Sequence, residues 1–180
     1  MTPTRTDRAA GAILGSLIGD ALSVGPHWYY DLEEQRRDYG DWISDYQPPK
    51  EGRYHYPLEA GELSQTGQIT VLVLESLVER GGFDLGDLTR RFDALLATLD
   101  GTPQGGRYTD HAIRDVWKQR HRDGRPWEEV GSHAADTADS AIFLAPLAAR
   151  YAGDWHEFGR LALTQTRLTH RNPIIVGNAI

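Results

Sequence analysis

The stretch GELSQTGQITVLVLESL, Gly61 to Leu77, changes from a polar cluster to an apolar helical pattern, and this change decides the fold. Four polar side chains stand where the helix should begin: Ser64, Gln65, Thr66 and Gln68. Ser64 or Thr66 can serve as the N-cap, because its side-chain oxygen accepts a hydrogen bond from an unpaired first-turn N–H. Capping needs only one hydroxyl. The N-terminus of a helix also favours an anion or a metal-bound phosphate, so the polar cluster can serve ligand binding as well. The stretch therefore predicts a helix and leaves two uses for its polar start.

The same helical periodicity recurs along most of the chain. It predicts helices over Thr6–Leu22, Gln65–Glu79, Leu85–Leu99, Asp110–His121, Ala138–Tyr151 and Trp155–Leu168, with a helical turn near Asp31–Tyr39. No alternating pattern competes with them, and glycines are expected at helix ends. They stand at Gly81, Gly82, Gly101, Gly105, Gly106 and Gly153. We predict an all-α, compact multi-helix bundle that forms one domain over residues 1–180.

Composition excludes several classes of function. Nineteen lysines and arginines against 26 aspartates and glutamates give a net charge of −7, which opposes binding to nucleic acid or to anionic membranes. The absence of cysteine removes disulfides, thiolate nucleophiles and Cys-ligated zinc. Glycine and aspartate interrupt the apolar run near the N-terminus too often for a membrane helix or a signal peptide. We expect a cytoplasmic protein with neither nucleic acid nor membrane as a partner.

Two segments suggest close packing. Gly11, Gly15 and Gly19 recur every four residues in the first helix, and each costs about 0.5–1 kcal/mol relative to alanine. We expect a neighbouring element to press against that face.

The aromatic-rich connection from Val24 to Leu58 is too long for an ordinary loop and predicts a lid or a pocket wall.

The C-terminal segment HRNPIIVGNAI predicts a helix with Asn172 as its N-cap and Pro173 as its first residue. A helix of two turns is marginal in water without tertiary support. We therefore expect exposed apolar surface here, covered by a second copy of the chain, by another polypeptide, or by nothing. The apolar side chains concerned are Ile174, Ile175, Val176 and Ile180.

Familiar catalytic signatures are missing: there is no Gly-x-Ser-x-Gly elbow and no His-Glu-x-x-His zinc motif. Polar residues instead interrupt apolar helices at the opening stretch and in IGDALSVGPHWYYD and TRLTHRNP. Each place has a structural interpretation. Asp20 can be a helix-end carboxylate, His27 a packed ring, and His170 a cation at a helix C-terminus.

Taken together, these segments resemble the ADP-ribosylglycohydrolase family. The resemblance rests on Ile18–Leu22, Gly61–Leu77, Ala145–Leu147 and Leu168–His170, in that order. PHWYYD at Pro26–Asp31 and GSHAADTADSAIFLAPL at Gly131–Leu147 point to the family's crystallin-like branch. The resemblance implies an all-α fold that binds ADP-ribose and uses two Mg²⁺ ions to hydrolyse its bond to a protein side chain.

The metal motifs implied by the resemblance are altered here. Ser64, Gln65, Thr66 and Gly67 stand where the family has Thr-Asp-Asp-Thr, and His27 stands where it has an acidic residue. Neutral oxygens hold Mg²⁺ poorly, and the family's second motif, Asp-x-Asp-Thr, does not occur in this sequence. We expect a degenerate magnesium site in an N-terminal portion of the family's domain.

By resemblance, the substrate is ADP-ribose on a protein or a small molecule. The residues assigned to catalysis are Asp20, His27, Asp136 and Asp139. Those assigned to ligand binding are Trp28, Tyr29, Ser64, Gln65, Thr66 and His170. No residue is assigned to a metal. The alternative is a non-catalytic protein that binds ADP-ribose or has a crystallin-like structural role.

Overall fold

The computed structural model describes residues 2–103 and 107–179, and the regular secondary structure in these residues is helical. The helices are α1 Arg5–Val24, α2 Leu32–Tyr39, α3 Gln65–Arg80, α4 Leu85–Leu96, α5 His111–Trp117, α6 Asp139–Ile142, α7 Ala145–Tyr151, α8 Trp155–Thr166 and α9 Pro173–Asn178. A π-helical turn, Lys118–Arg122, continues α5, and a 3₁₀ turn follows at Trp127–Glu129. The prediction of an all-α fold is confirmed.

Local sequence explains where several helices begin. Ser64 is the N-cap of α3, since its Oγ accepts a hydrogen bond from the Gly67 N–H at 3.3 Å. Thr4 and Asp7 form a capping box at α1, with Asp7 N donating to Thr4 Oγ1 at 3.1 Å. Asn172 caps α9, as its sequence predicts.

The core surrounds α3, which contacts α1, α4 and α7. Ile69, Val73 and Leu77 recur every four residues along α3 and are buried. Phe92 of α4 and Leu147 of α7 belong to the same buried cluster. Full burial of a large apolar side chain is worth about 1.5–3 kcal/mol, so α3 is the main anchor of the fold.

The prediction of one helix over Ala138–Tyr151 was wrong, because the chain forms α6 and α7 there. Pro146 lies in the first turn of α7. A proline lacks the N–H that a helix interior needs, and its ring clashes with the preceding turn. It therefore starts a new helix instead of extending α6.

The expectation that Gly11, Gly15 and Gly19 press against another element was also wrong. Within the described residues, nothing lies within 4 Å of the place where a Cβ would stand at any of the three. Leu14 and Ile18 beside them are 59% and 48% exposed. α1 packs on α3 and α7 through its other face. The prediction failed because residue spacing defines a face of a helix but does not say whether another element covers it.

At the C-terminus, Ile174 is 70% exposed, while Ile175 and Val176 are partly buried. The structure does not describe Ile180, whose side chain was expected to be exposed, or Gly105 and Gly106, which were expected at helix ends.

Nowhere in the described ranges does a helix combine the length and the apolar character needed to cross a membrane.

Candidate functional site

A cavity of about 490 Å³ lies beside the start of α3 and gathers residues that are far apart in the sequence. α1, the loop after it and the segments before α5 and α6 also contribute to its wall. Seven of the residues assigned from the sequence line it: Asp20, His27, Trp28, Ser64, Gln65, Thr66 and Asp139. The volume lies within the range of small-molecule sites, about 300–1,000 Å³.

Asp20 of α1 is bound to the N-cap of α3. Its carboxylate accepts the Ser64 N–H at 2.8 Å and also the Ser64 hydroxyl. Gly67 lies against it, so closely that a Cβ there would overlap the carboxylate. Asp20 therefore supplies the negative charge that the N-terminus of α3 favours, and part of its hydrogen-bonding capacity is already used.

Gln65 and Thr66 connect α3 to two other walls of the cavity. Gln65 Nε2 donates to Thr109 Oγ1 at 3.1 Å, and Gln65 Oε1 accepts the Asp110 N–H at 3.2 Å. Thr66 Oγ1 donates to Asp139 Oδ1 at 3.4 Å. The polar start of α3 thus fixes the segments that carry Asp110 and Asp139.

His27 and His55 form a hydrogen-bonded pair at the cavity, with Nδ1 of His27 2.9 Å from Nε2 of His55. Burial lowers the pKa of His27, although nearby Asp20 and Asp139 oppose this, and burial lowers the pKa of His55 to about 4. Both rings are therefore neutral at pH 7. Nδ1 of His55 is buried without a partner in the described residues, and orphaned donors are rarer than orphaned acceptors. We assign the shared proton to His55 Nε2.

Trp28 holds this pair in place from an uncommon backbone conformation. Its φ is 58°, a left-handed value that costs a bulky residue about 1–3 kcal/mol. The indole stacks on His27 with ring centroids 4.1 Å apart, and Tyr54 and Tyr108 meet it edge to face at 4.8 and 4.7 Å. The strained residue thus builds an aromatic wall of the cavity.

The structure places the other three assigned residues outside the cavity lining. Asp136 is exposed. Tyr29 is buried beneath the Arg53 guanidinium, and its hydroxyl donates to Asp38 at 2.5 Å. His170 is 1% exposed, and its Nδ1 lies 2.9 Å from Thr169 Oγ1. The buried positions of Tyr29 and His170 fit packing better than direct contact with a ligand, whereas Asp136 faces solvent.

Several lining residues were not assigned from the sequence, among them His55, Tyr108, Asp110 and Thr137. His55 and Tyr108 lie in irregular segments, where no periodicity marks them. Asp110 and His111 both line the cavity, although they are adjacent in the sequence. Asp110 is the N-cap that precedes α5, so helical spacing does not apply to it.

The donor set does not fit the two Mg²⁺ ions that the family resemblance implies. Across residues 2–103 and 107–179, no group of three or more acidic, histidine or cysteine side chains is arranged to hold a metal ion. Asp20 is hydrogen-bonded to Ser64, and Gln65 to Thr109 and Asp110. Mg²⁺ prefers oxygen ligands in near-octahedral geometry, which this arrangement does not offer.

A larger groove of about 760 Å³ lies along α3 and α4. None of the assigned residues lines it. The smaller cavity is therefore the candidate site, because it combines carboxylates, imidazoles and hydroxyls on several elements.

Comparisons with known proteins bear on the family and on the fold of the chain. The family model described as ADP-ribosylglycohydrolase matches residues 1–180. Crystallin J1A and Crystallin J1B of Tripedalia cystophora are 29% and 31% identical to the chain, and each match covers 82% of it. A solved structure entitled "ADP-ribosylglycohydrolase-related protein complex" matches with a TM-score of 0.67 at 22% identity, over 97% of this chain.

The chain spans about half the length of these relatives. The matches cover 47% of each crystallin and 53% of the chain in the solved structure. The relatives therefore contain as much polypeptide again as the part that corresponds to this chain.

Proposed function

The chain belongs to the ADP-ribosylglycohydrolase family, and from this premise we propose that it binds an ADP-ribosyl group in the cavity beside α3. The observation that supports this is the convergence of seven residues assigned through the family resemblance on one cavity. The ligand would be ADP-ribose itself, or ADP-ribose attached to a protein or a small molecule.

The chemistry of the lining suits the sugar part of this ligand. Carboxylates accept hydrogen bonds from ribose hydroxyls, as in dinucleotide-binding folds, and Asp110 and Asp139 both line the cavity. The hydroxyls of Thr66 and Thr137 can both donate and accept. Tyr108 adds an aromatic surface for a base or a sugar face.

Binding is better supported than magnesium-dependent hydrolysis. A two-metal mechanism needs ions that polarise the scissile bond and activate water, and the side chains of residues 2–103 and 107–179 do not form the required cluster. The neutral His27–His55 pair does not supply a positive charge in its place. We propose that ADP-ribosyl binding is independent of Mg²⁺.

Thermal denaturation tests this proposal. A ligand that binds only the folded state stabilises it by about 2.7 kcal/mol at a hundred times its Kd. We expect ADP-ribose to raise the melting temperature equally in EDTA and in millimolar Mg²⁺. Asp139→Asn should weaken this effect, while Asp45→Asn, at an exposed position outside the cavity, should not.

Three results would contradict the proposal. If ADP-ribose has no effect on the melting temperature at any concentration, the binding function is removed. Stabilisation of the protein by ADP-ribose only with Mg²⁺ would restore the metal-dependent reaction. Loss of the label from ADP-ribosylated protein in Mg²⁺ but not in EDTA would restore it as well.

A crystallin-like structural role is the second candidate, because both curated relatives carry the name crystallin. This role needs a soluble, stable chain and no ligand. High solubility together with the absence of any ADP-ribose effect would favour it over the binding function.

A further inference from the structure

A cavity of about 580 Å³ is separate from the candidate site, with which it shares no lining residue. Its wall comes from the start of α4, from the 3₁₀ turn at Trp127–Glu129, and from the end of α8 with the segment that follows. Three arginines line it, Arg120, Arg167 and Arg171, and Glu128 is the one acidic residue in the described part of its wall. In a chain with a net charge of −7, this basic cavity is a local exception that attracts anions.

The charge of Arg120 is already neutralised. Its Nε and Nη2 donate to the two carboxylate oxygens of Asp93 at 2.8 and 2.9 Å. The pKa of Arg120 is raised, chiefly by these hydrogen bonds and to a smaller degree by the charge of Glu128. Arg120 therefore holds one wall of the basic cavity and has little charge left to offer a ligand.

Arg167 and Arg171 have no such counter-charge. Neither forms an ion pair within residues 2–103 and 107–179. Arg171 Nε donates to the Val130 carbonyl at 2.5 Å, and its Nη2 donates to the Glu128 carbonyl. These uncharged acceptors fix the orientation of the guanidinium without neutralising it. Two positive charges therefore border the basic cavity, and one of them is already held in place.

Trp127 gives the basic cavity an aromatic surface in a fixed position. Its indole N–H donates to Asp93 at 3.3 Å, and its ring meets Phe92 edge to face with centroids 5.8 Å apart. Leu85 and Leu168 add apolar surface to the same wall. Sites that combine apolar surface with a few placed polar groups suit organic molecules. The lining therefore fits a ligand that has an anionic end and an apolar body.

Two guanidiniums without a carboxylate partner in the described chain match a dianion better than a carboxylate. A phosphate monoester carries a charge of about −1.5 to −2 at pH 7 and has three acceptor oxygens. The planar guanidinium binds phosphate through two parallel hydrogen bonds. A carboxylate would bring a single charge and would leave one arginine unneutralised.

We propose that the basic cavity binds a phosphate monoester attached to an aromatic or other apolar body, with Arg167 and Arg171 at the phosphate and Trp127 against the body. This inference goes beyond the proposed function and does not depend on it, because the two cavities share no residue. The phosphate can belong to a small free molecule or to a phosphorylated side chain of a protein.

Isothermal titration of the purified chain, in a phosphate-free buffer at low salt, tests the proposal. Phenyl phosphate carries both the dianion and the ring, benzoate carries a single charge, and benzyl alcohol carries none. We expect phenyl phosphate to bind, and the other two to bind at least about tenfold more weakly, because they form fewer charge-assisted hydrogen bonds.

An acetylated and amidated Gly-phosphotyrosine-Gly peptide distinguishes the two sources of the phosphate. Binding at least as tight as that of phenyl phosphate would assign the basic cavity to a phosphorylated protein. Weaker binding of the peptide than of phenyl phosphate would assign it to a small free molecule.

Arg167→Gln should weaken the binding of phenyl phosphate at least about tenfold, because it removes one of the two available charges. Arg167 is exposed, so the variant should fold. Arg171→Lys keeps the charge but loses the planar guanidinium, and should also weaken binding. Arg37→Gln is the matched control and should leave binding unchanged, since Arg37 is exposed and outside the cavity lining. Circular dichroism verifies folding, and Arg167→Gln decides the question if Arg171→Lys does not fold.

The proposal would be overturned if phenyl phosphate does not bind, if benzoate or benzyl alcohol binds equally well, or if Arg167→Gln leaves the affinity unchanged. An equal loss in Arg37→Gln would also overturn it, because the attraction would then belong to the whole surface.

The ADP-ribose experiment is a separate measurement at the other cavity, and its result should be the same in Arg167→Gln as in the unaltered protein. Binding of phenyl phosphate without an effect of ADP-ribose removes only the proposed function. The reverse removes only this inference.

Discussion

The Asp20 carboxylate holds the first residue before α3, because it accepts hydrogen bonds from both the backbone N–H and the hydroxyl of Ser64. The two residues are 44 positions apart in the sequence. The contact joins α1 to α3 at the cavity, and the neighbouring Gly67 leaves room for it. The polar start of α3 therefore has a structural partner on another helix.

Substitution of Asp20 should show how much the contact with Ser64 contributes to the stability of the fold. Asp20→Ala leaves the Ser64 N–H without its acceptor, and a hydrogen bond to a charged group is worth about 1.5–3 kcal/mol. We expect a loss of that size in the free energy of unfolding, measured by urea denaturation. Combined with Ser64→Ala in a double-mutant cycle, the two changes should be clearly non-additive. Additive effects would show that the contact contributes little.

Two glycines should respond in opposite ways to alanine. Gly67→Ala places a Cβ against the Asp20 carboxylate, and such overpacking costs about 1–3 kcal/mol. Gly15→Ala meets nothing within 4 Å and should stabilise α1 by about 0.5–1 kcal/mol. Melting temperatures of both variants test this pair. A stabilising Gly67→Ala would mean that the carboxylate moves away freely.

Asp110 should make stability fall as the pH rises. Burial raises its pKa from 3.8 to about 6, so the folded state holds this proton more tightly than the unfolded state. The contribution is full below about pH 4 and is lost as the pH rises through 6. About two pKa units correspond to roughly 3 kcal/mol. We expect urea denaturation between pH 4 and 8 to show this loss relative to Asp110→Asn, which keeps an N-cap oxygen. Parallel pH profiles for the two proteins would contradict it.

His55 should make the stability of the fold decrease as the pH falls, the opposite of the effect of Asp110. Its pKa is lowered from 6.5 to about 4, with burial as the largest cause and His27 and Arg107 as further ones. The contribution of the neutral ring to stability is present above about pH 6.5 and is lost as the pH falls toward 4. His55→Gln should flatten this part of the profile, whereas His133→Gln, at an exposed position, should not. The same pH dependence in all three proteins would place the acid-sensitive group elsewhere.

The amino-acid sequence was sufficient to predict the all-α class, the start of α3 at Gln65 and the N-cap of α9 at Asn172. These follow from apolar spacing and from capping, which act between residues no more than about four positions apart. The order of motifs also identified the family and seven of the residues that line the cavity.

Tertiary structure alone decided which faces are covered and which polar groups meet. The glycines of α1 have the spacing of a packed face, yet nothing described covers them, because the presence of a neighbour is not encoded in local periodicity. Asp20 pairs with Ser64, and His27 with His55, across 44 and 28 residues of chain. Such contacts depend on how α1, α3 and the loops pack together. For the same reason, only the folded chain brings Gln65 into contact with Thr109 and Asp110.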